Sequence, residues 1–194
     1  MIKTYIGLVG EAGSGKGTFV KIMQEITALT PTITLGHIKF SGILMETAER
    51  WNLPINRETL QKIPQAMREK FGANVLSRAI EHEALTLNKK MIILDGIRWE
   101  TDVKMLQTLP NNILIYLTAE EKIRFERLKK RGERSGETTM TFEQFREEGR
   151  AINEILIPHI GKNWAHIRIE NNGTIEEFEK KTKEFYDTVI KNGN

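Results

Sequence analysis

The sequence of 194 residues contains no cysteine. This absence excludes a disulfide framework, a thiolate zinc site, an iron–sulfur cluster and a cysteine nucleophile. Long apolar runs are also missing. The first such run is interrupted at Glu11, which predicts no signal peptide, and no window approaches the ~20 apolar residues of a membrane span. We therefore expect a cytoplasmic protein that does not work at a membrane.

A strong charge of one sign is missing as well. The chain has 29 Lys and Arg residues against 26 Asp and Glu residues, which gives a net charge of +3, and acids and bases are interleaved along it. This balance argues against a dedicated nucleic-acid surface, while a local basic cleft stays open. With 39% hydrophobic residues, one domain over residues 1–194 with a sizeable core is expected.

Short apolar runs alternate with stretches of helical periodicity, which favours a parallel sheet covered by helices on both faces. Buried strands are predicted at 5–9, 91–94 and 113–117, a second short strand at 33–35 and a more exposed strand at 165–169. The fold class is therefore α/β.

Two stretches depart from this simple alternation. Residues 37–87 have a helical pattern that is interrupted at Pro54 and Pro64. Residues 132–140 lack periodicity and are rich in Gly, Ser and Thr, which is typical of a mobile flap.

The most informative motif is GEAGSGKGT at residues 10–18, between a predicted buried strand and a predicted amphipathic helix. Its glycines let the backbone wrap around a phosphate, and the helix N-terminus adds the positive end of its dipole. Lys16 supplies a positive charge for the terminal phosphates. The predicted nucleotide-binding residues of this loop are Gly10, Ala12, Gly13, Ser14, Gly15, Lys16, Gly17 and Thr18.

A second motif is MIILDGIR at residues 91–98. An apolar strand that delivers one carboxylate, Asp95, at its end is the arrangement that holds Mg²⁺ and its waters in phosphate-loop enzymes. Ligands of open α/β sheets bind at the same edge. Because Arg98 follows closely, we expect it to project into the same cleft as Asp95.

Arginines recur on a predicted helix beside the flap. Arg127 and Arg131 share one helix face, and Arg134 lies in the flap itself. Phosphoryl transfer needs cations around the transferring group, so we predict that these three arginines are catalytic. Arg150, together with Arg146, would close the clamp from the far side, or else both are neutralised by glutamates of their own helix.

These motifs together resemble the nucleoside monophosphate kinase-like family of P-loop proteins, in particular its adenylate kinase-like and dephospho-coenzyme A kinase-like small members. The resemblance covers nearly the whole chain and includes NNGT at residues 171–174. It implies a three-layer α/β/α P-loop fold with a five-stranded parallel sheet in the order 2-3-1-4-5. It also implies a helical acceptor-binding insert at 37–87, a short lid at 132–140, and ATP with Mg²⁺ as the donor.

The resemblance also implies roles for individual residues on the donor side. The string GSGKGT at 13–18 has the loop spacing of adenylate kinases, so Thr18 is expected to take the metal-side hydroxyl position. The metal ligands are thus Thr18 and Asp95. Asn172 and Gly173 are expected on the nucleotide side, together with Arg127.

On the acceptor side, the family's Asp-Gly-x-x-Arg pattern has an arginine that grips the acceptor phosphate. The string DGIR at residues 95–98 is one residue shorter than this pattern but matches the Asp-Gly-Ile-Arg of a smaller group of related proteins, so the resemblance implies this role for Arg98. The family's acceptor segment Gly-Asp-x-x-Arg falls at residues 36–40, where Gly36 is kept, His37 replaces the Asp, and Lys39 is the nearby cation. Arg68 and Arg150 are further candidate acceptor ligands.

The combined interpretation is transfer of the γ-phosphoryl group of ATP to a small phosphate-bearing acceptor, in first place a (deoxy)nucleoside monophosphate. No His–Asp pair is apparent, and an anionic acceptor needs no general base. One alternative is a dephospho-coenzyme A-type kinase for a hydroxyl group, in which Asp95 helps to position the proton. Another is a nucleotide-binding switch or weak ATPase, against which Arg98 argues because a switch has no acceptor phosphate. The expected partners are small-molecule nucleotides, with no nucleic acid and no membrane, for a monomer or homodimer.

Overall fold

A computed structural model describes residues 3–132, 137–150 and 152–191. Five parallel strands form one sheet in the order β2-β3-β1-β4-β5, which confirms the expected order. The strands are β1 (Thr4–Val9), β2 (Leu35–Lys39), β3 (Met91–Ile97), β4 (Asn112–Thr118) and β5 (Ile167–Glu170).

Helices connect these strands and cover the sheet. They are α1 (Lys16–Ala28), α2 (Phe40–Arg50), α3 (Arg57–Phe71), α4 (Val75–Thr86), α5 (Glu100–Thr108), α6 (Glu121–Arg131), α7 (Phe142–Gly149), α8 (Ile152–Ile155), α9 (Ile157–Trp164) and α10 (Ile175–Phe185), which continues as a π-helix over Tyr186–Lys191. Within the described parts of the chain, no helix is long and apolar enough to cross a membrane.

The side chains of β1 alternate between two cores, as the two-residue period of a strand requires. Tyr5 and Val9 belong to a core that includes residues of α4, α5 and α9. Ile6 and Leu8 belong to a second core with residues of α1 and α10. All four side chains are buried, because the sheet carries helices on both faces. This burial explains why the strand appears in the sequence as a nearly continuous apolar run.

The second strand is displaced from its predicted position. The sequence pattern predicts it at 33–35, whereas β2 pairs with β3 from Leu35 opposite Met91 to Lys39 opposite Asp95. Residues 37–39, which the pattern assigns to the helical insert, therefore belong to the sheet. The prediction is wrong here because the polar residues His37 and Lys39 interrupt the apolar run that would indicate a strand, and β2 forms through its pairing with β3.

Three helices, α2 to α4, occupy the chain between β2 and β3. Pro54 lies in the connection between α2 and α3, as the pattern indicates, but Pro64 lies inside α3. A proline inside a helix costs about 3 kcal/mol. The helix continues because Ile63 is buried in a small apolar cluster with Leu44 and Ala48 of α2, so tertiary packing opposes the local break.

Candidate active site

The loop between β1 and α1 is shaped by glycines that tolerate no side chain. Gly13 and Gly15 have positive φ angles of 79° and 103°. A Cβ atom on Gly13 would lie 2.4 Å from the carbonyl oxygen of Arg124, and one on Gly10 would lie 2.4 Å from that of Leu117. The first turn of α1 contains no acidic residue, so no carboxylate there offsets the positive end of its dipole. The loop thus has the backbone form of an anion cradle.

Lys16 closes this loop. Its ammonium group donates to the carbonyl oxygens of Gly10, at 2.6 Å, and Glu11, at 3.2 Å. Burial lowers the pKa of Lys16 from its ordinary value, and the negative charge of Asp95 opposes that shift. Lys16 and Asp95 are therefore close enough to act on each other electrostatically, as the sequence motifs predict.

Two buried polar atoms of the loop have no hydrogen-bond partner among the described residues. They are the hydroxyl oxygen of Ser14 and the Oε2 atom of Glu11. The hydroxyl of Ser14 is available as a donor, and it lies in the same cradle as Lys16. This orphaned donor, the glycine backbone and the lysine cation fit the phosphates of a nucleotide.

Asp95 is set apart by a bulge in β3. The strand does not end at this residue: Leu8 pairs with Asp95 and Val9 with Ile97, which leaves Gly96 out of register with a φ of 108°. Bulges redirect side chains, and they are common beside active sites. The chemistry of a single carboxylate at this edge fits a magnesium ion held with its waters.

The structure contradicts the expectation that no His–Asp pair exists. Nε2 of His37 lies 3.3 Å from Oδ2 of Asp95, and both side chains are mostly buried. Burial by itself raises the pKa of Asp95, but the hydrogen bond to His37 and the charge of Lys16 outweigh it, so this pKa lies below its ordinary value. The pair escapes sequence reasoning because its members are 58 residues apart and meet only through β2–β3 pairing.

Arg98 forms an ion pair with Glu154 of α8. Its backbone N–H and that of Trp99 donate to Oδ2 of Asp102, at 3.1 Å and 3.0 Å, while the hydroxyl of Ser77 donates to Oδ1 at 2.7 Å. Burial raises the pKa of Asp102, although these hydrogen bonds oppose the shift. Asp102 therefore fixes the chain that carries Arg98 at the start of α5.

Arg68 reaches the same neighbourhood from α3. Its guanidinium lies 4.3 Å from the ring centroid of Trp99, and its Nη1 atom donates to the hydroxyl of Thr101 at 3.3 Å. The structure thus brings Arg68 next to the segment that carries Arg98, but its cation is stacked on an aromatic ring.

Arg127 of α6 contacts the chain that follows β5. It donates to the carbonyl oxygen of Asn171 at 2.8 Å and to that of Gly173 at 3.4 Å. The amide of Asn171 donates in turn to the carbonyl oxygen of Ser14 at 3.0 Å. Asn172 accepts from the backbone N–H of Glu120 at 2.8 Å. The chain after β5 therefore connects α6 to the phosphate loop.

The other predicted arginines are less central. Arg131 pairs with buried Glu137 at 2.5 Å. Arg150 is exposed and pairs with Glu147, as the alternative of neutralisation on its own helix expects. Arg146 instead lies 3.5 Å from Glu121 of α6, so that alternative does not hold for Arg146. Arg134 lies outside the described residues, as does the 133–136 part of the predicted lid.

Three further candidates lie where the sequence places them along the chain, with different surroundings. Thr18 is half-buried in the first turn of α1. Lys39 is exposed at the end of β2. Gly36 is buried within β2, where a Cβ atom would lie 2.6 Å from the side chain of Leu87, so it packs against the protein interior.

The sequence assigns no role to several residues that the structure brings to this site. They include His37, Asn171, Glu154 and Arg124, whose guanidinium donates to the carbonyl oxygen of Ala12 at 3.3 Å. Asn171 is part of the NNGT string, so its position was a usable signal. Glu154 carries no local signal, because its partner is 56 residues away.

Comparison with known proteins gives a family match and a set of relatives. The family model described as an AAA domain matches residues 9–146. A UPF0200 protein of Thermococcus kodakarensis is 30% identical over 189 residues, which cover 94% of this chain and 96% of the relative.

Two solved structures share the fold at low sequence identity. Shikimate kinase from Bacteroides thetaiotaomicron has a TM-score of 0.60 at 14% identity, covering 95% of this chain and 98% of the other. A gluconokinase from Sinorhizobium meliloti has a TM-score of 0.57 at 12% identity, covering 98% and 95%. At such identities the likeness concerns the fold alone.

Proposed function

Since the chain belongs to the AAA domain family and has the fold of a P-loop kinase, we propose that it is an ATP-dependent phosphotransferase acting on a small molecule. The observation that carries the proposal is the meeting of the glycine cradle, the Lys16 ammonium and the Asp95 carboxylate at one sheet edge. A phosphate chain with its metal needs these three groups together.

Within this proposal the residues divide the work. The loop backbone and Lys16 bind the β- and γ-phosphates, and the hydroxyl of Ser14 donates to them. Asp95 and Thr18 hold the metal or its waters. ATP supplies the phosphoryl group, and Mg²⁺ offsets the charge of its phosphates. Arg127 and the Asn171 bridge keep the nucleotide side rigid.

Two acceptor groups are compatible with this donor site. The phosphate of a (deoxy)nucleoside monophosphate is supported by the position of Arg98, close behind Asp95 on the same chain. A hydroxyl group is supported by the contact between His37 and Asp95, which places a polar pair at the acceptor end of β2. The proposed acceptor region includes α2, α3 and α4, and residues 132–140 are proposed as a lid that excludes water.

A coupled assay of ADP release tests the proposal. The purified protein is given Mg–ATP and a panel of nucleoside monophosphates, dephospho-coenzyme A, shikimate and gluconate. Acceptor-dependent ADP release above basal hydrolysis supports a phosphotransferase. ATP turnover that no acceptor accelerates supports a switch or weak ATPase instead, and Lys16→Ala serves as the control for contaminating kinases.

A further inference from the structure

Glu154 is part of the cleft. Its side chain is only 10% exposed, and that of its partner Arg98 is 29% exposed. The charge of Glu154 also acts on Lys16, which places this carboxylate within electrostatic reach of the phosphate loop. The cation best placed to grip an acceptor phosphate is therefore already neutralised by the protein itself.

The other cations on the acceptor side are also engaged or weakly placed. Arg68 is stacked on Trp99 and hydrogen-bonded to Thr101. Lys39 is exposed at the end of β2. A single hydrated ammonium group binds phosphate less specifically than a bidentate arginine does. Arg98 is thus paired with a carboxylate, Arg68 is held against a ring and Lys39 is exposed, so neither Arg68 nor Lys39 replaces Arg98 as a bidentate ligand for a phosphate.

An acceptor phosphate would have to displace the carboxylate of Glu154 from Arg98. The displaced carboxylate would keep its charge in a place that is largely removed from water. Leaving a buried charge without its partner is unfavourable enough to lower the binding constant of a phosphate acceptor by a factor of roughly 100 or more. An acceptor with an uncharged receiving group leaves the ion pair intact and avoids this cost.

We propose that Glu154 sets the acceptor class, because by neutralising Arg98 it selects a receiving hydroxyl group over a receiving phosphate. The inference rests on the proposed phosphotransferase function and makes it more specific. In the transfer, the hydroxyl oxygen forms a bond to the γ-phosphorus while the bond from this phosphorus to the β,γ-bridging oxygen breaks. ADP leaves with that electron pair, and in the overall reaction the hydroxyl proton is released to the solvent.

The test removes the charge of Glu154 and keeps the shape of its side chain. Wild type, Glu154→Gln and the matched control Glu147→Gln are saturated with Mg–ADP, and AMP, dCMP and inorganic phosphate are titrated by calorimetry. Glu147 pairs with Arg150 on the exposed side of α7, so its variant removes a carboxylate away from Arg98. We expect only Glu154→Gln to gain affinity for the phosphate-bearing probes, by at least about tenfold. Adding Arg98→Ala to Glu154→Gln is expected to abolish the gain.

Each other result has a defined meaning. The acceptor inference is wrong if the wild-type protein binds or phosphorylates AMP or dCMP to the same extent as the Glu154→Gln variant. The phosphotransferase proposal is then left intact. The same holds if a folded Glu154→Gln variant gains no affinity. Failure of every variant to bind Mg–ADP contradicts the proposed function itself. The wild-type titration and the transfer panel remain decisive even if Glu154→Gln does not fold.

Discussion

The proposed nucleotide side of the cleft is formed mainly by backbone, whereas the proposed acceptor side is formed by paired side chains. On the nucleotide side, Gly10, Gly13 and Gly15 leave no room for a Cβ atom, and Lys16 bonds to the loop's own carbonyl oxygens. On the acceptor side, Arg98 is paired with Glu154. The loop thus has the form of an anion site, while the Arg98 cation on the acceptor side already has a carboxylate partner.

The two sides are expected to differ in how selective they are for their ligands. A backbone cradle binds any phosphate chain of the right shape, because each residue contributes the same N–H group. The members of an ion pair can be substituted one at a time, and each substitution changes the net charge of the surface that binds the acceptor. Substitutions should therefore affect the two sides in different ways, which can be measured separately.

The largest effect is expected for Lys16→Ala. The variant loses the cation that is proposed to face the terminal phosphates, and we expect turnover to fall by at least about 10³-fold. Steady-state rates of ADP formation measure it, with a thermal melt to show that the variant is folded. Turnover close to wild type would remove the basis for placing the donor phosphates in this loop.

A glycine pair tests whether the loop is determined by its backbone. Gly13→Ala forces a Cβ atom against the carbonyl of Arg124 at a positive φ angle, so we expect a loss of about 2–4 kcal/mol in the free energy of unfolding. Gly17→Ala meets no heavy atom within 4 Å and should be neutral or stabilising by up to about 1 kcal/mol. Denaturant titrations of both variants measure the difference. Equal destabilisation would show that the two glycines are not distinguished by their surroundings.

On the acceptor side, Arg98→Ala leaves the charge of Glu154 without its partner. We expect a loss of about 2–3 kcal/mol in stability, partly restored in the double variant with Glu154→Gln. Arg150→Ala, which breaks an exposed pair with Glu147, should cost less than about 0.5 kcal/mol. ATP affinity, measured by calorimetry, should barely change in either variant. If Arg98→Ala weakened ATP binding by as much free energy as it lowered the free energy of unfolding, the proposal that the two sides act separately would be contradicted.

The smallest effect concerns pH and Asp102, which holds the backbone beside Arg98. Because burial raises the pKa of Asp102, the native state binds more protons than the unfolded state between the ordinary and the raised pKa. The contribution of Asp102 to the free energy of unfolding therefore decreases as the pH rises through this interval.

Asp102→Asn removes this titration and can keep the contacts, with its oxygen accepting the two backbone N–H groups and its NH₂ group donating to Ser77. Urea titrations across the acidic and neutral range should therefore show a smaller decline with rising pH for Asp102→Asn than for wild type. If the free energy of unfolding depended on pH in the same way for the two proteins, the decline would not come from the titration of Asp102.

The two sides also differ in how much of them can be predicted. The phosphate loop is one continuous string, so its glycines and Lys16 can be recognised in the sequence alone, and Asp95 is marked by the apolar strand that precedes it. On the acceptor side, the short string DGIR at 95–98 marks Arg98, but no continuous string marks the residues that Arg98 meets. The polar residues His37 and Lys39 obscure β2, and the packing of Ile63 keeps α3 continuous across Pro64.

The sequence by itself determined the alternating α/β pattern, the loop at 10–18 and the carboxylate at 95, because these features depend on local periodicity and backbone freedom. Its resemblance to a known family supplied the order of the strands. Only the tertiary structure decided that His37 meets Asp95, that Arg98 meets Glu154 and that Asn171 braces Ser14. Those partners are far apart in the chain, and the sheet and the packing of its helices bring them together.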